Sequence, residues 1–137
     1  MLKITIPTRK NYKEIIHLVN EAERIFFDIY TKDEAAEVGV GNLTVEDLIS
    51  GAKTRQYLVL KDSKKIIAFA SFRLKNEQTV WISSLYVSID LQGKGYGSKL
   101  LREIENFASK NDVKVVVLET EKKARWAVGF YLKNGYK

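Results

Sequence analysis

Gly93, Gly95 and Gly97 stand at alternate positions, with Lys94 between the first two and Ser98 and Lys99 just beyond the third. Glycines let an anion approach the backbone closely, and the hydroxyl and ammonium groups can donate to its oxygens. The flanks say what this loop opens. Trp81 to Val87 is rich in β-branched and aromatic residues, whereas Leu100, Leu101, Ile104 and Phe107 recur at helical spacing, so the hydrophobic period changes from two to 3.6. A strand leads in and a helix leads out. The first N–H groups of such a helix lack intrahelical partners and carry partial positive charge, so the stretch reads as a cradle for phosphate or pyrophosphate.

Spacing separates three phosphate motifs. A P-loop requires glycine, four residues, then Gly-Lys-Ser/Thr, but here Lys94 is followed by Gly95. A dinucleotide fingerprint is matched only in part by Gly93, Gly95 and Ser98, with Glu119 where a ribose-binding acid is expected, and the loop does not follow a first strand. Gln92-x-x-Gly95-x-Gly97 resembles the pyrophosphate loop of the GNAT family, the Gcn5-related N-acetyltransferases, whose pattern is Gln/Arg-x-x-Gly-x-Gly/Ala. Leu85-Tyr86-Val87 resembles the strand ahead of that loop, and Ala127 to Tyr136 resembles the family's last helix and turn. Together these cover roughly the last 55 residues in the family's order, a more specific match than glycines alone.

The resemblance implies an acetyl-CoA-dependent enzyme. Gln92, Gly93, Lys94, Gly95, Tyr96, Gly97 and Ser98 then hold the pyrophosphate, while backbone groups of Leu85, Tyr86 and Val87 pair with the pantetheine amides. Tyr131 stands where the family places a thiolate-protonating tyrosine; the competing reading is a core aromatic beside Phe130. The base candidate is Glu119, acting through water held by Ser83 or Ser84, against a strand-end acid paired with Lys122 or Lys123. The family's variable region between its first two strands walls the acceptor site, which nominates Asp28, Tyr30, Asp33, Glu34 and Glu37 for a cationic amine. Three departures stand out: Ala124 replaces a cofactor-contacting asparagine, Ile89 replaces a proline, and the chain stops at Lys137, where the family adds one or two strands. A missing segment, a partner completing the sheet and a minimal member are all expected to produce that ending.

The chain of 137 residues is the size of one domain, 1–137, and its 45% hydrophobic and 29% charged content is that of an ordinary globule. No cysteine is present, which excludes disulfides, thiolate metal sites and a cysteine nucleophile, and the lone His17 leaves no histidine-rich metal site, so no metal is expected. No apolar run reaches membrane-spanning length and no signal sequence follows Met1, so the expectation is cytoplasmic, with no membrane partner. The net charge of +6 is unevenly spread: residues 11 to 52 hold nine acids and three bases, a net of −6, leaving +12 for the part that contains the glycine loop. One part suits a cation and the other a polyanion.

The surrounding elements follow from periodicity. Lys3 to Ile6 reads as a strand ended by Pro7, and Asn11 as the N-cap of a helix to about Phe27. His17 falls outside that helix's apolar series. Asp28 to Asn42 is the least periodic stretch, and Thr44 with Asp47 caps a short helix. Gln56 to Lys61 and Lys65 to Leu74 form a hairpin, Thr79 to Val87 and Val113 to Thr120 form strands around the helix from Gly95 to about Ser109, and Arg125 to Lys133 is the last helix. The fold class is α/β (α+β): a mixed, mostly antiparallel sheet flanked by helices, with a parallel pair at 79–87 and 113–120 that the family resemblance implies is splayed.

Three functions are compatible with this reading: an N-acetyltransferase acting on a small-molecule or peptide amine such as a polyamine, an amino sugar or a protein amine; a noncatalytic acyl-CoA-binding module; and a nucleic-acid binder. The aromatics fall in core periodicities rather than among Lys and Arg, which argues against nucleic acid. A homodimer is left open, as is the identity of the acceptor.

Overall fold

The computed structural model describes residues 1–137. Strands β1 (Leu2–Thr5), β2 (Gln56–Asp62), β3 (Lys65–Asn76), β4 (Thr79–Val87) and β5 (Val115–Leu118) lie side by side in chain order. The first four are antiparallel neighbours, and only β4 and β5 run parallel. Five α-helices complete the fold: α1 (Tyr12–Glu23), α2 (Lys32–Val38), α3 (Val45–Gly51), α4 (Tyr96–Lys110) and α5 (Arg125–Lys133). This is the mixed sheet with flanking helices that the sequence predicts.

Helices cover both faces of the sheet. On one face α1 sets Tyr12, Ile15, Leu18 and Val19 against Tyr57, Val59 and Phe69. On the other α4 sets Leu100, Leu101 and Ile104 against Ala68, Ala70, Phe72 and Val80. Residues 66–72 of β3 are therefore buried without alternation, as a central strand covered on both sides must be. Leu100, Leu101 and Ile104 have no exposed surface, and each such side chain contributes about 1.5–3 kcal/mol relative to exposure.

One irregularity organises the functional end of the sheet. Ser71 pairs with Ser84 but Phe72 pairs with Ile82, so Ser83 is an extra residue in β4 and forms a bulge. The bulge resets the alternation: Ile82 and Leu85 both pack on the α4 side. The parallel ladder with β5 stops at Ile82 and Leu118, so Ser84 to Val87 have one edge paired with β3 and the other open.

Several boundaries differ from expectation. β5 is Val115–Leu118 rather than 113–120, because Val113 is buried under α4 with its N–H bonded to the Ala108 carbonyl at 2.8 Å, and Glu119 and Thr120 are exposed. The first helix ends at Glu23 and continues as a 3-10 turn over Arg24–Asp28, which turns Ile25 and Phe27 outward. Asn11 does not cap α1; its Oδ1 accepts the Thr8 N–H at 2.9 Å and closes the turn ahead of it. The stretch read as least periodic contains α2, opened by a Thr31–Glu34 capping box with bonds of 2.9 and 3.1 Å and closed by Gly39 in the left-handed region at φ +75. The Thr44–Asp47 box that opens α3 and the limits of α5 are as expected.

Candidate active site

β4 leads through a short 3-10 turn (Ile89–Leu91) into the glycine loop. Gln92 Nε2 donates to the Val87 carbonyl at 3.2 Å, folding the loop back on the strand end. Gly93 and Gly95 adopt φ +81 and +87, the left-handed conformation that the loop needs and that other residues adopt at a cost. Gly95 is the N-cap of α4 and no side chain caps that helix, so the N–H groups of Tyr96, Gly97 and Ser98 have no intrahelical partner and none from a cap. Lys94 and Lys99 are exposed beside them. The geometry is that of an anion site built on backbone donors.

Gly97 has a different task from its neighbours. A Cβ there meets two ring carbons of Phe130 at 3.2 Å and Val87 at 3.5 Å, so its absence lets β4, α4 and α5 pack together. Ser98 departs from expectation as well: its hydroxyl donates to Asn134 Oδ1 at 3.1 Å, tying α4 to the end of α5. Its backbone N–H remains with the loop.

Tyr131 is half-buried on α5, with its ring edge-on to Phe130 at 5.0 Å and to Tyr136 at 5.8 Å. It packs against the same core as Leu85 and Val87. Burial alone pushes its phenol up to about 12, so the group is a protonated donor at neutral pH. A cleft of about 910 Å³ along β5 is lined by Leu118, Thr120, Val128 and Tyr131 but by no residue of the glycine loop.

The other predicted residues are less concentrated. Ser83 is exposed at the bulge and Glu119 is exposed beyond β5, whereas Ser84 faces a second cavity on the α1 side. Asp28 and Asp33 are exposed. Tyr30 and Glu34 belong to a strap between the 24–38 region and the loop before α5. Phe26 stacks on Tyr30 at 5.5 Å and meets Trp126 at 5.7 Å, the Tyr30 hydroxyl donates to Glu121 Oε2 at 3.2 Å, and Lys123 Nζ lies 3.4 Å from Glu34 Oε2. The backbone N–H of Thr31, then Lys123, lower the Glu34 carboxyl below the usual range, while burial and then Glu121 raise the Tyr30 phenol.

Sequence reasoning missed Glu23. This last residue of α1 accepts the Tyr86 hydroxyl on Oε2 at 2.7 Å and the Gly41 N–H on Oε1 at 3.2 Å. Burial, then the charge of Glu23, drive the Tyr86 phenol far up, with Tyr131 near enough to add to the rise. The contact spans 63 residues, and a glutamate at a helix end carries no local mark of it.

Comparison with known proteins agrees with this fold. The chain superposes on the PaiA N-acetyltransferase of Thermoplasma acidophilum in complex with coenzyme A with a TM-score of 0.89 at 18% identity, covering 100% of this chain and 90% of that one. It is also similar to the ribosomal-protein-S18-alanine N-acetyltransferase of Escherichia coli (TM-score 0.77, 18% identity, 98% and 77% coverage). A third similar structure is AAC(6')-Iy in complex with a bisubstrate analogue, CoA-S-monomethyl-acetylneamine (TM-score 0.70, 11% identity, 100% and 91% coverage). No curated protein matches the sequence. The family model described as the acetyltransferase (GNAT) family matches residues 14–136, nearly the whole chain, and the protein belongs to that family.

Proposed function

We propose that this protein is an acetyl-CoA-dependent N-acetyltransferase that transfers an acetyl group to a primary amine. The observation that carries the reading is the run of β4 from Ser84 to Val87, open along one edge and leading into a glycine loop and an uncapped helix start. An extended pantetheine arm needs backbone partners and a diphosphate needs converging N–H donors, and this segment offers both in sequence. Similar structures bound to coenzyme A and to a CoA-based analogue support acetyl-CoA as the donor. Their acceptors differ, so none is carried over.

Acetyl-CoA supplies the activated acetyl group. The N–H groups of residues 96–98, with Lys94 and Lys99, hold the diphosphate, and the open edge of Leu85, Tyr86 and Val87 orients the arm. Tyr131, protonated and half-buried on α5 beside this segment, delivers a proton to the departing sulfur. Glu119 and Ser83 are both exposed, so Glu119, acting through water held by Ser83, is weakly placed to receive the amine's proton.

Calorimetric titration with CoA and thiol release from acetyl-CoA, measured with spermidine, glucosamine and alaninamide, test the proposal. Binding together with amine-dependent thiol release supports the transferase. Binding without turnover assigns a noncatalytic acyl-CoA module, and absence of binding removes both readings.

A further inference from the structure

We infer that the acceptor is a compact primary amine held on the α1 face of the sheet, with its ammonium anchored by the Glu23 carboxylate. The inference rests on the transferase reading and names the acceptor site within it. A cavity of about 360 Å³ lies there between α1, the 38–43 segment and the strands, with Glu23, Ser71, Ser84 and Tyr86 in its wall. A carboxylate has about four acceptor sites. Glu23 uses two of them, on the Tyr86 hydroxyl and the Gly41 N–H, and these fix the group in place while leaving lone pairs for a guest.

Ser71 adds a hydroxyl to that wall. It is the one buried polar residue of the chain, 2% exposed. A hydroxyl there can both donate to and accept from a guest amine. Ser84, its cross-strand partner, places a second hydroxyl in that wall. Charge points the same way: Glu23 and Asp47 outnumber Arg55 among the lining residues.

The position fits transfer. Ser84 and Tyr86 belong both to the cavity wall and to the part of β4 whose far edge is open. A donor lying along that edge occupies a neighbouring-strand position, about 4.8 Å from β4. A cavity of about 360 Å³ is at the small end of ligand sites, about 300–1,000 Å³, and is large enough for an amine of amino-sugar or amino-acid-amide size.

The chemistry balances. The ammonium gives one proton to Glu23, and the free nitrogen forms a C–N bond with the thioester carbonyl as its π pair moves to oxygen. Collapse breaks the C–S bond, and sulfur takes a proton from Tyr131. The nitrogen's second proton restores Tyr131, and Glu23 releases its own to solvent, leaving the amide, the CoA thiol and one proton.

Steady-state kinetics of Glu23→Gln and Ser71→Val test this, varying glucosamine, alaninamide and spermidine in turn at saturating acetyl-CoA. The KM for the compact amines rises about 10- to 100-fold in Glu23→Gln, the effect of losing a charge-assisted hydrogen bond, and Glu23→Asp recovers part of it. The KM for acetyl-CoA and the affinity for CoA stay within about two-fold, which also establishes that the variants fold. An unchanged amine KM in both variants, with a raised one in Glu34→Gln, overturns the assignment in favour of an acceptor under the strap and leaves the transferase standing. A wild-type protein that binds acetyl-CoA and transfers to none of the amines overturns both.

Discussion

Tyr131 and Tyr86 show what one residue's surroundings decide. Both phenols are raised by burial first, but Tyr86 donates to a carboxylate while Tyr131 keeps its proton without such a partner. In the proposed reaction, the proton on Tyr131 is therefore the one available to a leaving sulfur. Tyr131→Phe is expected to lower kcat by about 100-fold or more, the usual contribution of a positioned general acid, with CoA affinity retained in calorimetry. The alkaline fall of kcat in the wild type comes near about 12, where this phenol ionises, and is absent from the residual activity of the variant. The glycine loop was legible at this scale because its chemistry is written in adjacent residues. Glu23 was not, because its meaning comes from Tyr86 and Gly41, which only the fold brings to it.

Elements whose signals are local were also read from the chain. The limits of α5, the hairpin of β2 and β3 and the capping box of α3 follow from periodicity, turn residues and caps. Helix α2 escaped because it is seven residues long and buries only Ala35, so it has almost no hydrophobic period; its Thr-x-x-Glu signature was the available clue. Thr31→Ala removes one half of that box and is expected to cost about 1 kcal/mol locally, seen as faster hydrogen exchange over residues 32–38 with little change in α4. The glycines of the loop separate by cause. Gly95→Ala meets no neighbour within 4 Å but forces alanine to φ +87, a backbone cost of about 1–2 kcal/mol, and weakens CoA binding with it. Gly97→Ala instead drives a methyl against Phe130 at 3.2 Å, and overpacking of about 1–3 kcal/mol lowers the melting temperature.

Over the whole molecule, the phenols respond to pH together. Tyr30, Tyr57, Tyr86, Tyr131 and Tyr136 are all raised, each by burial first. A group whose folded value lies above its unfolded one leaves stability intact below the unfolded value of about 10, and stability falls as pH climbs from there through the folded value. Alkaline titration followed by the tyrosinate ultraviolet band is expected to show these five phenols ionising late, together with unfolding. Charge is arranged at the same scale, with an excess of acids in residues 11 to 52 and the excess of bases in the rest of the chain, which contains the glycine loop. That division was visible in composition, but which acids face a cavity and which face water was not. Glu34 stands in the strap beside Lys123, while Glu23 lines the cavity.

The strap has a kinetic consequence. Tyr30 and Glu121 are 91 residues apart and Glu34 and Lys123 are 89 apart, so their contacts close long loops that hairpins and helices do not. Loop closure of that length is deferred until the nearer pairings exist, which places the strap after the folding barrier. Tyr30→Phe is then expected to speed unfolding in stopped-flow denaturant jumps and leave the refolding rate almost untouched. The same ordering is expected to let the strap open ahead of the sheet on which the glycine loop is built.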